Sequence, residues 1–413
     1  MTMARGEVAA AEADAVNDWA HCGAMMLTGV PERAPLGPPA RMVAGLHRLA
    51  AAFRQHADRL GCDCAIDPFQ LIVDRAAIAG LSRRGDVSCG GASHLMATQD
   101  GWIAVSLARE SDVDLVPAWL ECTDLSDDVW DDVPTLVSVL PADEVVARAR
   151  TLGLPAAVLG EVGLSGEDPI TWGGVTDGES AGLQKEIAGA LVVDLTSLWA
   201  GPLCTSILQG FGARVVKVES WQRPDGARRG EQAFFDLLNS GKESVAIDFT
   251  SDEELEQLQQ LLARADVVVE GSRPRALEQL GITPEAMLAQ SSGVWLSITG
   301  YGRALPQGNW AAFGDDAAVA GGLVAWDDGR PSFCADAVAD PLTGMVGALA
   351  ALKAMREPGP RLVEVAMAEV AAAFGGPTLD VGAEMEALAP EIRRASGRAA
   401  ELGQHTDLVL AER

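Results

Sequence analysis

From residue 190 onward, short apolar runs recur along the chain: LVVDL (191–195), RVVKVE (214–219), SVAIDF (244–249), DVVVE (266–270) and VWLSI (294–298). Helical stretches separate them, and that alternation predicts a parallel sheet with helices on both faces. The clearest helix start is Ser251, three residues ahead of Glu254 in a capping-box pattern, with Leu255, Leu258, Leu261 and Leu262 on one face. Upstream, residues 40–60 and 143–153 carry apolar positions at helical spacing, whereas GWIAVSLA (101–108) reads as a strand. Residues 165–188 combine glycine, proline and acids with little apolar periodicity, as an exposed linker does. The expected fold is α/β, with a Rossmann-like large domain and a smaller α+β domain. The expected division is 1–165 for the smaller domain, 166–188 for the linker, 189–375 for the large domain and 376–413 for a helical tail packing on it.

Composition narrows the functional classes. A chain of 413 residues exceeds the usual single-domain range. Its 59 acidic and 31 basic side chains leave a net charge of −28, which argues against nucleic acid and anionic membrane as partners. Any anionic ligand must therefore be held by local groups. The seven scattered cysteines fit reduced thiols in a cytoplasm better than a disulfide framework. The first residues, MTMARGEVAAAEADAV, do not read as a secretory signal, and the alanine-rich stretch 343–355 falls short of the ~20 apolar residues of a membrane helix. The expectation is a soluble cytoplasmic protein. His21, His47, His56 and His94 have no metal-ligand spacing and Cys62-Asp63-Cys64 lacks a second pair, so no metal is expected.

In open α/β sheets ligands bind beyond the carboxyl ends of the strands, where loops and helix N-termini offer N–H groups. Those ends read DLTSLWAGPLCTSILQGFGARVVKVES (194–220), LNSGKESVAIDF (238–249), DVVVEGSRPRALEQLGI (266–282) and SITGYG (297–302), followed by FGDDAAVAGGLVA (313–325) and FCADAVADPLTGMVGALAAL (333–352). In order and spacing this succession resembles the family III coenzyme A transferases, the group that includes formyl-CoA transferase, carnitine CoA-transferase and α-methylacyl-CoA racemase. The resemblance puts the nucleophile at Asp340, in the run Asp340-Pro341-Leu342-Thr343-Gly344, with Asp336 as fallback. It implies coenzyme A as the ligand, contacted by Trp199, Ala200, Ile247, Asp248, Phe249, Gly271, Ser272, Arg273, Asp315 and Asp316. Arg223, Arg228, Arg229 and Lys242 are further candidates for positive potential around its phosphates.

A carboxylate suits the implied chemistry, because it can attack a thioester, expel the thiolate and form a mixed anhydride that the thiolate reopens. The alternative for Asp340 is a plain helix N-cap. Two departures stand out: transferases often carry glutamine where this chain has Trp199, and Asp315 stands where the racemases are expected to keep a histidine.

RRGDVSCGGASHLMATQDGWIAVSLA (83–108) resembles the family's glycine loop and the start of its smaller domain, which normally follows the nucleophile domain. In this chain it comes first. Gly90 and Gly91 are then the expected loop over the acyl intermediate, with an ordinary surface turn as the alternative. DWAHCGAMMLTG (18–29) echoes 316–327, as a degenerate half-copy at 18–60 would, and chance similarity between two helices is the other reading. Gly403, His405 and Thr406 resemble the family's closing motif, with His405 in a structural role.

The resemblance implies an acyl-CoA:carboxylate CoA-transferase whose partners are an acyl-CoA and a carboxylic acid, and a homodimer whose subunits interlock in the family. Acyl-CoA racemisation or isomerisation, and acyl-CoA binding without catalysis, stay open as other readings.

Overall fold

The computed structural model describes residues 5–163, 170–174, 185–291, 293–381 and 385–412. Its strands, numbered in chain order, are β1 (Ser93–Ala97), β2 (Trp102–Ser106), β3 (Ala156–Val158), β4 (Ile170–Gly174), β5 (Leu191–Leu195), β6 (Arg214–Ser220), β7 (Glu243–Ile247), β8 (Val267–Glu270), β9 (Val294–Thr299), β10 (Val324–Asp327), β11 (Arg330–Phe333) and β12 (Arg361–Ala366).

Each of the five apolar runs becomes a strand of one seven-stranded sheet in the order β4-β12-β9-β8-β5-β6-β7. All neighbours in it run parallel except β4, which lies antiparallel on the edge against β12. Successive residues of a strand point to opposite faces. Val192, Val215, Val267 and Leu296 accordingly join one apolar core, and Val193, Val216, Val268 and Trp295 the other. That double burial is why these runs are continuously apolar rather than alternating. Two features escaped the pattern. RLVEVA (361–366), outside the five runs, forms β12. Within the expected linker, Ile170–Gly174 supplies the antiparallel edge strand, while 164–169 and 175–184 lie outside the described residues.

On one face lie the helices Ala200–Gly210 and Ala339–Ala354, and the core there also takes in Val16, Met42, Leu46, Phe53, Ile72 and Ala76 from the front of the chain. The side chains ahead of the glycine loop therefore share the core of the large sheet. Only from β1 to Val158 does a separate core form, around Trp119, Val133 and Val145 beneath the antiparallel sheet β1-β2-β3. On the other face lies the helix Asp252–Arg264, capped by Ser251, whose side chain accepts the Glu254 N–H. Glu254 reaches past the expected capping-box partner to accept the Asp248 N–H at 2.8 Å.

The tail, expected to be helical, is mostly without regular structure among the described residues, with helix only at Thr406–Ala411. It is tied to the edge of β7: His405 Nδ1 accepts the Ser244 N–H, Thr406 Oγ1 accepts the Ala246 N–H, and the Gly403 N–H donates to Ser244 Oγ.

The helices Ala200–Gly210 and Ala339–Ala354 meet at Gly344, where a Cβ would stand 2.6 Å from the Ala200 carbonyl oxygen and 3.1 Å from Leu203. Asp340 lies one turn before Gly344 on the same helix face. Gly344→Ala is expected to destabilise the chain by about 1–3 kcal/mol through overpacking, read from the urea midpoint.

Candidate active site

The hairpin β10–β11 turns on Asp328 and Gly329, both at positive φ, as a two-residue type I′ turn requires. It delivers the chain to Cys334–Asp340. Ala335 and Ala337 here take left-handed backbone, φ 55° and 42°, at a cost of order 1–3 kcal/mol each. Both are held by side chains from elsewhere: the Ala335 N–H donates to Thr28 Oγ1 at 3.1 Å and the Ala337 N–H to Asp315 Oδ1 at 3.0 Å. The helix then starts at Ala339, with Asp340 in its first turn, partly buried and still open to solvent. The carboxylate lies against Gly314, whose missing side chain leaves the room: a Cβ there would stand 2.4 Å from Asp340 Oδ2.

Asp340 is one of four carboxylates gathered here. Asp336 is fully buried, with both oxygens held by Arg75 through Nε (2.7 Å) and Nη2, so it cannot serve as an accessible nucleophile. Asp315 and Asp316 open the helix Gly314–Ala320 and are buried against β1 and β2. The β1–β2 register sets Ser93 opposite Ser106, and their hydroxyls meet at 2.7 Å. Ser93 Oγ donates to Asp315 Oδ2 (3.3 Å) and Ser106 Oγ to Asp316 Oδ1 (2.9 Å), while Asp316 Oδ2 has no hydrogen-bond partner among the described residues. Asp315 and Asp316 thus join the antiparallel sheet to the turn that precedes the Asp340 helix.

Burial dominates their ionisation. It pushes the Asp340 carboxyl up to about 7, with Asp315 and Asp336 adding to the rise and Arg75 and the Gly314 N–H opposing it. Burial likewise raises Asp315 to about 6 and Asp316 to about 7. Arg75 stays charged: burial opposes its charge, and Asp336, Asp315 and Asp340 more than compensate. Its guanidinium lies over the Trp199 ring at 5.4 Å, and a Cβ on Gly90 would come within 3.3 Å of its Nη2. Gly90 is exposed above that guanidinium, and Gly91, at φ 83°, lies against Arg84. The glycine loop and the Asp340 helix are brought together within one chain.

Arg75 was missed by the sequence reading. It sits in a six-residue helix, Asp74–Ala79, without a motif, and nothing local distinguishes it from Asp74, which pairs with Arg393.

The expected coenzyme contacts divide into buried and exposed groups. Trp199 and Ala200 are buried at the start of their helix, with Trp199 edge-on to Phe234, and Ile247 is fully buried. At the first turn it is Leu198 that faces solvent, at 42 % exposure and φ 69°. Asp248 and Phe249 are partly exposed just past β7. Gly271 and Arg273 are exposed past β8, and Ser272 is anchored there by N–H and Oγ donation to buried Glu270. Two expected phosphate cations are otherwise engaged. Lys242 is buried on Asp194, Asn239, Thr205 and the Pro202 carbonyl, and Arg228 is paired with Glu219, because each is nearer a buried acid than the surface. Arg223, Arg229 and Arg273 are exposed.

The cavity of about 670 Å³ between Trp102, Trp326 and Gly160 does not include Asp340 in its lining. Among the described residues, no cluster of three or more His, Cys, Asp or Glu could hold a metal, and no helix is long and apolar enough to cross a membrane.

A mostly parallel sheet with helices on both faces, and a first-turn aspartate beside Gly314, makes this an α/β protein with a buried acid cluster. The chain belongs to the family III CoA-transferases: the family model described as CoA-transferase family III matches residues 187–401, just over half of it. Curated relatives include formyl-CoA:oxalate CoA-transferases of Escherichia coli O6:H1 and O157:H7, each 32 % identical over 185 residues, or 41 % of this chain and 44 % of the relative. The chain thus matches less than half the length of these relatives. Among solved structures, a hypothetical protein of Mycobacterium tuberculosis is 30 % identical over 45 % of this chain and 56 % of its own, at a TM-score of 0.41. A CAIB/BAIF family protein from Brucella suis is 28 % identical over 46 % of this chain and 55 % of its own, at 0.43.

Asp316 takes up its proton at a higher pH in the fold than its ordinary 3.8, so its contribution to stability is full below about pH 4 and lost as pH rises to about 7. Asp316→Asn removes that loss. The variant's thermal midpoint, measured against wild type, is expected to gain between pH 5 and pH 8.

Proposed function

We propose that this protein transfers coenzyme A between carboxylic acids, with Asp340 as the nucleophile. The observation that carries the reading is the Asp340 carboxylate itself: solvent-accessible at a helix start, touching the Gly314 backbone, and raised to about 7 by burial among other acids. A carboxylate stripped of water is the more reactive nucleophile, and one that titrates near neutral pH is ionised when needed.

In this reading an Asp340 oxygen attacks the thioester carbon of an acyl-CoA, the C–S bond breaks and the thiolate leaves, giving a mixed anhydride. The thiolate then attacks the Asp340 carboxyl carbon, releasing the donor acid and leaving an aspartyl-CoA thioester. An acceptor carboxylate reverses both steps and departs as its CoA thioester, with no net uptake of protons. The pantetheine arm runs past Leu198 toward Asp340, and the nucleotide end meets the exposed strand-end loops at Asp248–Phe249 and Gly271–Arg273. Arg223 and Arg273 supply positive charge on a chain of net charge −28. Gly90 and Gly91, beside Arg75 and Arg84 of the same chain, cover the acyl group. Asp315 has both oxygens hydrogen-bonded and is buried, which disfavours it as the proton-transfer group of a racemase.

Mixing the protein with acetyl-, succinyl- and benzoyl-CoA, then trapping with hydroxylamine and locating the adduct by mass spectrometry, should label Asp340. Absence of label with every thioester would favour acyl-CoA binding without catalysis. Asp340→Ala should lower exchange of labelled acid into acyl-CoA by at least ~1000-fold, as loss of a covalent nucleophile does. The labelling rate should rise with pH through about 7, as the Asp340 carboxyl ionises.

A further inference from the structure

We infer that Arg75 binds the carboxylate of the acid that accepts coenzyme A, through the Nη1 nitrogen it leaves open beneath the glycine loop. The inference rests on the transferase reading and assigns a substrate contact within it. An acceptor carboxylate arriving at the aspartyl-CoA thioester meets Asp315 and Asp336 in a strongly acidic chain, and like charges at close range repel. Among the groups that act on Asp340, Arg75 is the cation.

The guanidinium is held at two points. Nε and Nη2 are committed to Asp336, which is fully buried, and the plane lies over Trp199 at 5.4 Å. Nη1 has no hydrogen-bond partner among the described residues, while the side chain keeps 32 % of its surface exposed. Above it is Gly90, where a Cβ would stand only 3.8 Å from Nη1. Any larger residue there would cover the one free end of the fork. A guanidinium so fixed presents its remaining N–H groups at a set angle, which suits a planar carboxylate better than a mobile ammonium would.

The step balances without a further reactant. One acceptor oxygen accepts a hydrogen bond from Nη1, and the other attacks the carboxyl carbon of the aspartyl-CoA thioester. The C–S bond breaks, and the thiolate then takes the acceptor's acyl carbon, returning Asp340 as a carboxylate. Arg75 keeps its proton throughout.

The test compares the full-length wild type with Arg75→Lys and with the double variant Arg75→Gln/Asp336→Asn, which removes the buried ion pair as a unit. Initial rates are measured with acetyl-, succinyl- or benzoyl-CoA as donor and isotopically labelled acetate, succinate or benzoate as acceptor. In both variants the KM for the acceptor acid is expected to rise tenfold or more, while the KM for the acyl-CoA moves by less than threefold. Equal shifts in the two constants, or a fall in kcat with both unchanged, would overturn the assignment and leave Arg75 as a positioning residue for Asp336. If the double variant does not fold, Arg75→Lys decides by the same criterion, since a lysine can pair with Asp336 but cannot also hold the acceptor. Failure of the wild type to form an Asp340 adduct would sink the transferase reading instead, independently of Arg75.

Discussion

A single guanidinium among four carboxylates is the constraint around which the site is organised. The Arg75–Asp336 pair joins residues 261 positions apart and ties the front of the chain to the strand-to-helix turn that carries Asp340. Buried pairs are poor sources of net stability, because the desolvation of both ions offsets their attraction. Breaking one by removing a single partner still costs about 3–5 kcal/mol. The pair therefore acts as a register pin: with Asp336 held, the left-handed residues Ala335 and Ala337 are fixed on either side of it, and the helix start has one position.

That fixed turn explains how an ordinary aspartate comes to titrate near neutral pH. Gly314 allows backbone to approach the Asp340 carboxylate and exclude water, which raises the carboxyl, and the neighbouring acids raise it further. Arg75 and the Gly314 N–H act in the opposite direction. Fixed dipoles in a poorly hydrated space are worth more than the same groups in water, so small displacements of either partner shift the balance strongly. The serine pair of β1 and β2 fulfils a related need by holding Asp315 and Asp316, so the antiparallel sheet is tied to the helix Gly314–Ala320 by buried polar contacts and to β10–β11 by the apolar cluster of Leu95 and Ala104 with Val324 and Phe333.

The family match covers 187–401, whereas Arg75 and the glycine loop lie outside it. The front of the chain nonetheless shares the core of the large sheet and reaches the acid cluster directly. The strand ends beyond β6, β7 and β8 have the opposite character: buried Lys242 and partly buried Arg228 serve internal acids, and the proposed nucleotide contacts fall on an exposed rim of arginines at strand-end loops, where helix N-termini also favour anions.

What could be read from the chain alone was whatever has a local period or a contiguous motif. The apolar runs at 191–195, 214–219, 266–270 and 294–298 marked strands because burial on both faces leaves no polar alternation, and Ser251 marked a helix start because a cap is a contact between near neighbours. Asp340 with Gly344 was legible through the family resemblance, as the contiguous run Asp340-Pro341-Leu342-Thr343-Gly344. The edge strand β4 was not, since a polar, glycine-rich segment becomes a strand only when β12 offers it unpaired backbone. Arg75 was invisible for a deeper reason. Its role comes from Asp336, Trp199 and Gly90, each distant in sequence, and a charge acquires such a role only when tertiary packing removes the water that would otherwise screen it.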